Sequence, residues 1–339
     1  MRGIWLLLLG LLLVLGGSWA ASRVQSADGT RVTDIRFAGD NGATLRALLY
    51  VPAGVDVAHK APAILAVHGY INTAEMQSAF AIEYARRGYV VLALDQAGHG
   101  YSSGPAFAGG FGGPAALRYL RSLPYVDTAN IGLEGHSMGG WTVLAAASAL
   151  PNGYRSMVLE GSSTGKPFAA DGTPGWPRNV ALVFSRFDEF AQIMWGVDRA
   201  QDVPDSPKLQ ALFGTTAPVI PGRIYGDIAT GTARRLTMPV ATHPGDHISH
   251  AAVADSLDWF GRTLQGGKPR APTDQIWLTK EFATGVALVG IVPLLVGMFS
   301  LFLALPPFAP LRRTPVPRVR RRDAQWRRTF WLTALEQPL

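Results

Sequence analysis

The sequence predicts an α/β domain: a mostly parallel sheet with helices on both faces, flanked by an apolar helix at each end. Three observations predict it. Short continuous apolar runs alternate with helix-forming stretches between residues 63 and 260. Polar residues suited to acyl-transfer chemistry stand directly after several of those runs. Two charge-free segments, Gly3 to Ser22 and Phe282 to Leu311, bracket a polar body.

The chain has 339 residues, 16% of them charged, 48% hydrophobic, and none of them cysteine. The length suits one large domain or two small ones. A charged fraction below the usual ~25% argues against disorder and against a coiled coil. The absence of cysteine excludes disulfides, thiolate metal sites and a cysteine nucleophile. Net charge is +7, but eight arginines and only two acids fall after residue 311, leaving 23 basic and 22 acidic residues before it. The body is therefore near neutral, so a nucleic-acid partner is not expected.

The first segment carries the runs Leu6–Leu9 and Leu11–Leu13 behind Arg2. Residues 1–22 read either as a secretory signal, with small residues at Ser18 and Ala20, or as an anchor. The second segment, 282–311, exceeds the ~20 apolar residues that a spanning helix needs. Pro293 inside it is tolerated in membrane helices. Arginines at 312, 313, 318, 320, 321 and 322 follow at once. Such basic runs mark the cytoplasmic side. Arg2 places the N-terminus on that side too, so the body, residues 23–270, is expected outside the cytoplasm, with 312–339 as a basic cytoplasmic tail. Phe330–Leu335 reads as the opening of one more apolar segment, the expectation for a chain cut from a longer membrane protein.

Within the body, Val32–Phe37 and Thr44–Val51 form an antiparallel lead-in pair. Ala63–Val67 is the first buried run and ends at His68-Gly69. Ala74–Arg87 is helical. Tyr89–Leu94 is the second run and ends at Asp95. Ala115–Leu123 is a short helix closed by Pro124. Ile131–Glu134 is the third run, and Met138–Leu150 is an Ala-rich helix. Ser156–Glu160, Val180–Phe184 and Leu236–Ala241 are later runs, and the last helix carries Val253, Leu257, Trp259 and Phe260. Apolar runs without polar alternation mean strands covered on both faces. Such sheets place their sites beyond the carboxyl ends of the strands. Standing there are His68-Gly69-Tyr70, Asp95, Ser137, Asp188 and His243.

Gly135-His136-Ser137-Met138-Gly139-Gly140 lies between a run and a helix, the G-x-S-x-G nucleophile elbow. The turn is tight enough that side chains at Gly135 and Gly139 would strike neighbouring backbone. The Ser137 hydroxyl then stands at a helix N-terminus, where the dipole favours developing negative charge.

With that elbow in place, the body from about 30 to 265 resembles an α/β-hydrolase. Val67-His68-Gly69-Tyr70 resembles the family's first oxyanion loop. Asp95-Gln96-Ala97-Gly98-His99-Gly100-Tyr101-Ser102 resembles its D-x-x-G-H-G-x-S turn, and the motifs follow the family's order. The resemblance implies oxyanion donors at the backbone of Tyr70 and Met138. It implies His243, directly after the last strand, as the base, with His247 as the alternative. It implies Asp188 as the acid, although Ser185 replaces the common glycine, with Asp227 as the alternative. His68, His99 and Asp95 are expected to brace loops. The histidines at 243 and 247 have a metal-like spacing, but Pro244-Gly245 between them argues against a helix there, so no metal and no cofactor is expected.

Serine at the elbow, rather than aspartate, disfavours dehalogenase and epoxide-hydrolase chemistry. The stretch Ala115 to Ile131 resembles dienelactone-hydrolase-like esterases and prolyl-oligopeptidase-type peptidases. Together these imply a membrane-tethered serine hydrolase acting on a carboxylic ester, thioester or amide, with an acyl-peptidase as the alternative. Its partners are then a small or lipid-like acyl substrate and the membrane. A non-catalytic sensory or scaffold domain, and an enzyme acting on acyl chains at the bilayer surface, are the rival readings. Residues 161–179 leave no room for a large helical cap, and Trp195, Leu209, Leu212 and Phe213 supply either a small lid or ordinary packing.

Overall fold

A computed structural model describes residues 2–311 and 323–335. The arginines between 312 and 322, which carry the topology signal, lie outside the described residues. The chain divides into two compact units, residues 16–285 and residues 1–15 with 286–339.

In chain order the elements are α1 (Arg2–Gln25), β1 (Arg31–Ala38), β2 (Thr44–Val51), β3 (Ala61–Val67), α2 (Ser78–Arg86), β4 (Val90–Leu94), α3 (Gly113–Ser122), β5 (Val126–His136) and α4 (Met138–Ala149). They continue with β6 (Ser156–Glu160), β7 (Val180–Val183), α5 (Ala191–Trp195), α6 (Pro207–Phe213), β8 (Ile224–Tyr225), β9 (Arg234–Thr237), α7 (His250–Thr263), α8 (Trp277–Phe302) and α9 (Ala324–Leu335). One sheet runs β1-β2-β4-β3-β5-β6-β7-β9-β8. The five strand pairs from β4 to β9 are parallel, and β1, β2 and β8 are added antiparallel. This is the α/β-hydrolase fold.

The continuous apolar runs are explained by the two cores. Leu65, Leu92, Leu133, Leu159 and Leu182 face one core together with Leu117 of α3 and Leu144 of α4. Their neighbours Ile64, Val91, Val158 and Ala181 face the other, against Phe80 of α2 and Trp259 and Phe260 of α7. Successive strand residues point to opposite faces, so a strand covered on both must be apolar at every position. Ser249 caps α7, its hydroxyl accepting from Ala252 N–H at 3.2 Å.

Two boundaries differ from expectation. The last long strand is Arg234–Thr237, not Leu236–Ala241. Arg234 and Arg235 look like surface charges yet are buried. Arg234 donates to the carbonyls of Thr173 and Pro174 at 2.9 Å, and Arg235 pairs with Asp258. Pro239, which has no N–H for a ladder, follows the strand end. The second apolar helix begins at Trp277, five residues before the charge-free segment, and ends at Phe302. The Glu83 carboxylate sets its start, accepting from the N–H groups of Ile276 at 2.6 Å and Trp277 at 3.1 Å while holding Arg86 and Arg87 on its other oxygen. Those N–H groups have no partner within the helix, and a carboxylate there also suits the dipole.

Among the described residues two helices are long and apolar enough to cross a membrane: Gly3–Gln25, with mean hydropathy 2.2, and Trp277–Phe302, with mean hydropathy 2.3. In the smaller unit their backbones touch at glycines. A Cβ on Gly10 would lie 2.3 Å from Leu294 N, and one on Gly297 would lie 2.4 Å from Leu7 N. Close approach at small residues is how apolar helices associate where burial from water gives no drive.

Candidate active site

β5 ends at His136 and α4 starts at Met138, leaving Ser137 alone on the bend at φ +53°, ψ −119°. A non-glycine residue in the positive-φ region is strained, and such strain persists only where its surroundings enforce it. Here the enforcement is visible. Ser137 N–H donates to Glu160 O at 2.8 Å, and Ser162 Oγ donates to Ser137 O at 2.7 Å. A Cβ on Gly135 would lie 2.3 Å from Gly139 O, and one on Gly139 would lie 2.2 Å from Val67 O. Both glycines are required by space, as the motif implied.

The loop after β3 is pressed against this bend. A Cβ on Gly69 would meet His136 Nδ1 at 2.9 Å and Ser137 Cβ at 3.3 Å. His68 anchors the loop from below: its Nε2 accepts from Gln96 N–H at 3.1 Å, and Gln96 Nε2 donates to His68 O at 2.6 Å. Tyr70 is half exposed and packs on His99 and Phe107, with ring centroids 5.9 Å and 6.1 Å away. Its neighbour Ile71 sits at φ +55°, a second strained residue in the same loop. Met138 is buried at the first position of α4. Asp95 braces the neighbouring turn, accepting from Ala74 N–H at 2.7 Å and Tyr101 N–H at 2.9 Å. His99 contacts Ala97 O at 3.2 Å.

Asp188 and His243 stand 55 residues apart in sequence and meet because the loops after β7 and β9 continue side by side. Arg186 N–H reaches Pro239 O at 2.9 Å, and Phe187 N–H reaches Ala241 O at 3.1 Å. His243 Nδ1 then lies 2.7 Å from Asp188 Oδ2. The other carboxylate oxygen accepts Phe190 N–H at 2.8 Å, so Asp188 is satisfied on both sides. Phe190 covers the imidazole, with ring centroids 4.5 Å apart. The carbonyl of His243 takes a hydrogen bond from His136 Nε2 at 2.9 Å, which ties the loop to the residue preceding Ser137. Gly161 lies between the two halves: it follows Glu160, the residue that holds Ser137 N–H, and a Cβ on it would lie 2.8 Å from His243 Nδ1. Among the described residues no hydrogen bond joins Ser137 Oγ to the imidazole, and the serine is half-buried. Catalytic hydrogen bonds are often long before substrate binds.

The alternatives are placed elsewhere. His247 is buried against His136, ring centroids 4.0 Å apart, with neither nitrogen hydrogen-bonded. Asp227 is exposed in the β8–β9 turn, accepting from Ala229 N–H at 2.9 Å. Ser185, which stands where a glycine is common, donates to buried Asp246. Trp195, Leu209, Leu212 and Phe213 belong to the core around α4, so they pack a crossover rather than form a lid. Gly161, Glu189 and Phe190 were not anticipated. Glu189 accepts His243 N–H at 2.9 Å, and its only sequence signal is adjacency to Asp188.

Behind the site, burial holds titratable groups neutral. It lowers His68 and His247 from 6.5 to about 4 and raises Glu134 from 4.5 to about 8. His136 is held well below its ordinary value, and Glu160 and Asp246 well above theirs, also chiefly by burial. Below pH 6.5 the unfolded imidazoles bind protons that the folded ones refuse, so stability falls with falling pH. Above pH 4.5 the folded carboxyls keep protons that the unfolded ones release, so stability falls with rising pH. Each group contributes on the order of 1 kcal/mol per pH unit. The two sets offset one another between 4.5 and 6.5. The expected melting temperature is therefore flat in that window and declines from pH 6.5 to 8. Thermal melts followed by circular dichroism check this, and a rise between pH 6.5 and 8 would contradict it.

A family profile described as alpha/beta hydrolase fold matches residues 62–193, a span that holds Ser137 and Asp188 but stops short of His243. No curated protein sequence matches the chain. Among solved structures, the Pyrococcus furiosus esterase Pf2001 is similar at 15% identity and a TM-score of 0.51, over 73% of this chain and 95% of that one. A candidate dipeptidyl aminopeptidase IV from Bacteroides ovatus is similar at 17% identity and a TM-score of 0.50, over 69% of this chain. This chain spans only 36% of that protein. At these identities the likeness is one of fold.

Proposed function

We propose that the chain is a membrane-tethered serine hydrolase that cleaves a carboxylic ester, or a thioester or amide, through an acyl-enzyme. The observation that carries this reading is the closed 2.7 Å His243–Asp188 pair beside a strained serine bend. Ser137 Oγ attacks the carbonyl carbon while His243 Nε2 takes its proton. The backbone N–H groups of Tyr70 and Met138 receive the oxyanion, in the place where preorganised donors contribute most. His243 returns the proton to the leaving group, and water repeats the sequence to free the acid. Asp188 holds the imidazole with Nδ1 protonated and stabilises its cation.

Helices α1 and α8 are the tethers, and the arginine placement puts the body outside the cytoplasm. A membrane-impermeant fluorophosphonate probe added to intact cells tests both points. Labelling mapped to Ser137 is expected. Labelling only after permeabilisation would reverse the orientation. The absence of labelling, together with no hydrolysis of short p-nitrophenyl esters, would remove the enzymatic reading.

A further inference from the structure

We propose that the rim of this site is a lipid-docking surface, and that the acyl substrate reaches Ser137 from the bilayer. The proposal rests on the tethered-hydrolase reading and deepens it. Five strand-end loops each raise exposed large apolar side chains at the carboxyl edge of the sheet. Ile71 comes from the loop after β3, Tyr101 and Phe107 from the one after β4, Phe168 from the one after β6, Phe187 from the one after β7 and Ile248 from the one after β9. Ile71 is 78% exposed and Ile248 is 65% exposed. Apolar side chains scattered singly are ordinary on a surface, but gathered around one edge they mark an interaction site. The opposite edge shows no such gathering among the described residues; Val57 is its large exposed apolar side chain in the β2–β3 connection.

The occupant follows from the path of the chain within the body. At its start α8 lies beside Glu83, near the end of α2. One turn later Lys280 Nζ and Glu281 Oε1 lie 3.0 Å and 3.3 Å from Ser78 Oγ, at the first residue of α2. The helix thus climbs antiparallel to α2, toward the edge that carries the rim. Beyond residue 285 the same helix continues as a segment whose composition suits a membrane. A lipid surface is the apolar partner that the chain's own composition supplies for this rim. Aromatic and aliphatic side chains on short loops are the groups that settle at a headgroup boundary.

The cysteine-free sequence makes the test direct. Tyr101→Cys, Ile248→Cys and Val57→Cys are prepared in the full chain, labelled with an environment-sensitive fluorophore and reconstituted into phosphatidylcholine vesicles. Replacing part of the lipid with brominated phosphatidylcholine is expected to quench labels at 101 and 248 and to leave 57 unchanged. Equal emission at all three positions would overturn the docking surface, as would a change at 101 and 248 that follows protein concentration in detergent and ignores lipid. A long-chain ester confined to the vesicles should be consumed; its survival while a soluble short-chain ester is cleaved would overturn the substrate assignment. Quenching needs no catalysis, so rim labels quenched in a chain that cleaves no ester would sink the hydrolase reading alone.

Discussion

Ser137→Ala and His243→Ala are each expected to lower kcat for a short p-nitrophenyl ester by about six orders of magnitude, and Asp188→Asn by about four. The ordering follows from the bonds. In the proposed mechanism serine and imidazole exchange the proton that makes the nucleophile, so either loss ends the covalent route. In that mechanism Asp188 acts through His243: an amide in its place can donate to Nδ1 and fix the wrong tautomer, leaving the geometry intact. The double variant Ser137→Ala with His243→Ala should be no slower than either single one, because residues that act as a unit are not additive. The Asp188 result also separates the two candidate bases. Neither ring nitrogen of His247 is hydrogen-bonded, so a base at 247 gives no account of a large Asp188 effect. Steady-state kinetics with matched thermal melts check the series. Ser137→Ala within tenfold of the unaltered chain would end the nucleophile assignment.

The fold was legible because the sheet is covered on both faces, which leaves a one-dimensional trace as unbroken apolar runs. The elbow was legible for a related reason: glycines at 135 and 139 record collisions with backbone a few residues away in sequence or one strand over. What could not be read depends on long-range neighbours. Arg234 and Arg235 hid a strand because their buried guanidinium groups find carbonyls 60 residues away and an aspartate on α7. Trp195, Leu209, Leu212 and Phe213 show the same apolar character in a lid or in a core, and only packing distinguishes the two. Glu134 and Glu160, which close their apolar runs, read as strand ends, yet both are fully buried. The rim was invisible for the complementary reason: its side chains are separated by as many as 177 residues and are gathered only by topology.

Gly161→Ala is expected to reduce kcat by at least about a hundredfold while the fold survives, the scale on which a misplacement near 1 Å is felt. The residue sits at φ +51°, where a side chain is strained before any contact is considered. The added methyl would lie 2.8 Å from His243 Nδ1, 3.0 Å from its Cε1 and 3.2 Å from Asp188 Oδ2. All three atoms belong to the pair that receives and holds the proton in the proposed mechanism. Relief by moving the imidazole outward is opposed by Phe190, which covers it, and by His136, which holds its backbone carbonyl. Relief by moving Gly161 inward is opposed by its N–H, which is bonded to Val183 O at 2.9 Å in register with the sheet. The strain therefore falls on the Asp188–His243 hydrogen bond rather than on the core. The expected signature is a large loss in kcat, a KM changed little, and a melting temperature lowered by only a few degrees. Kinetics and thermal melts on the purified full chain read all three. Activity within threefold of the unaltered chain would mean that position 161 tolerates a side chain, and that the imidazole which does the work lies elsewhere.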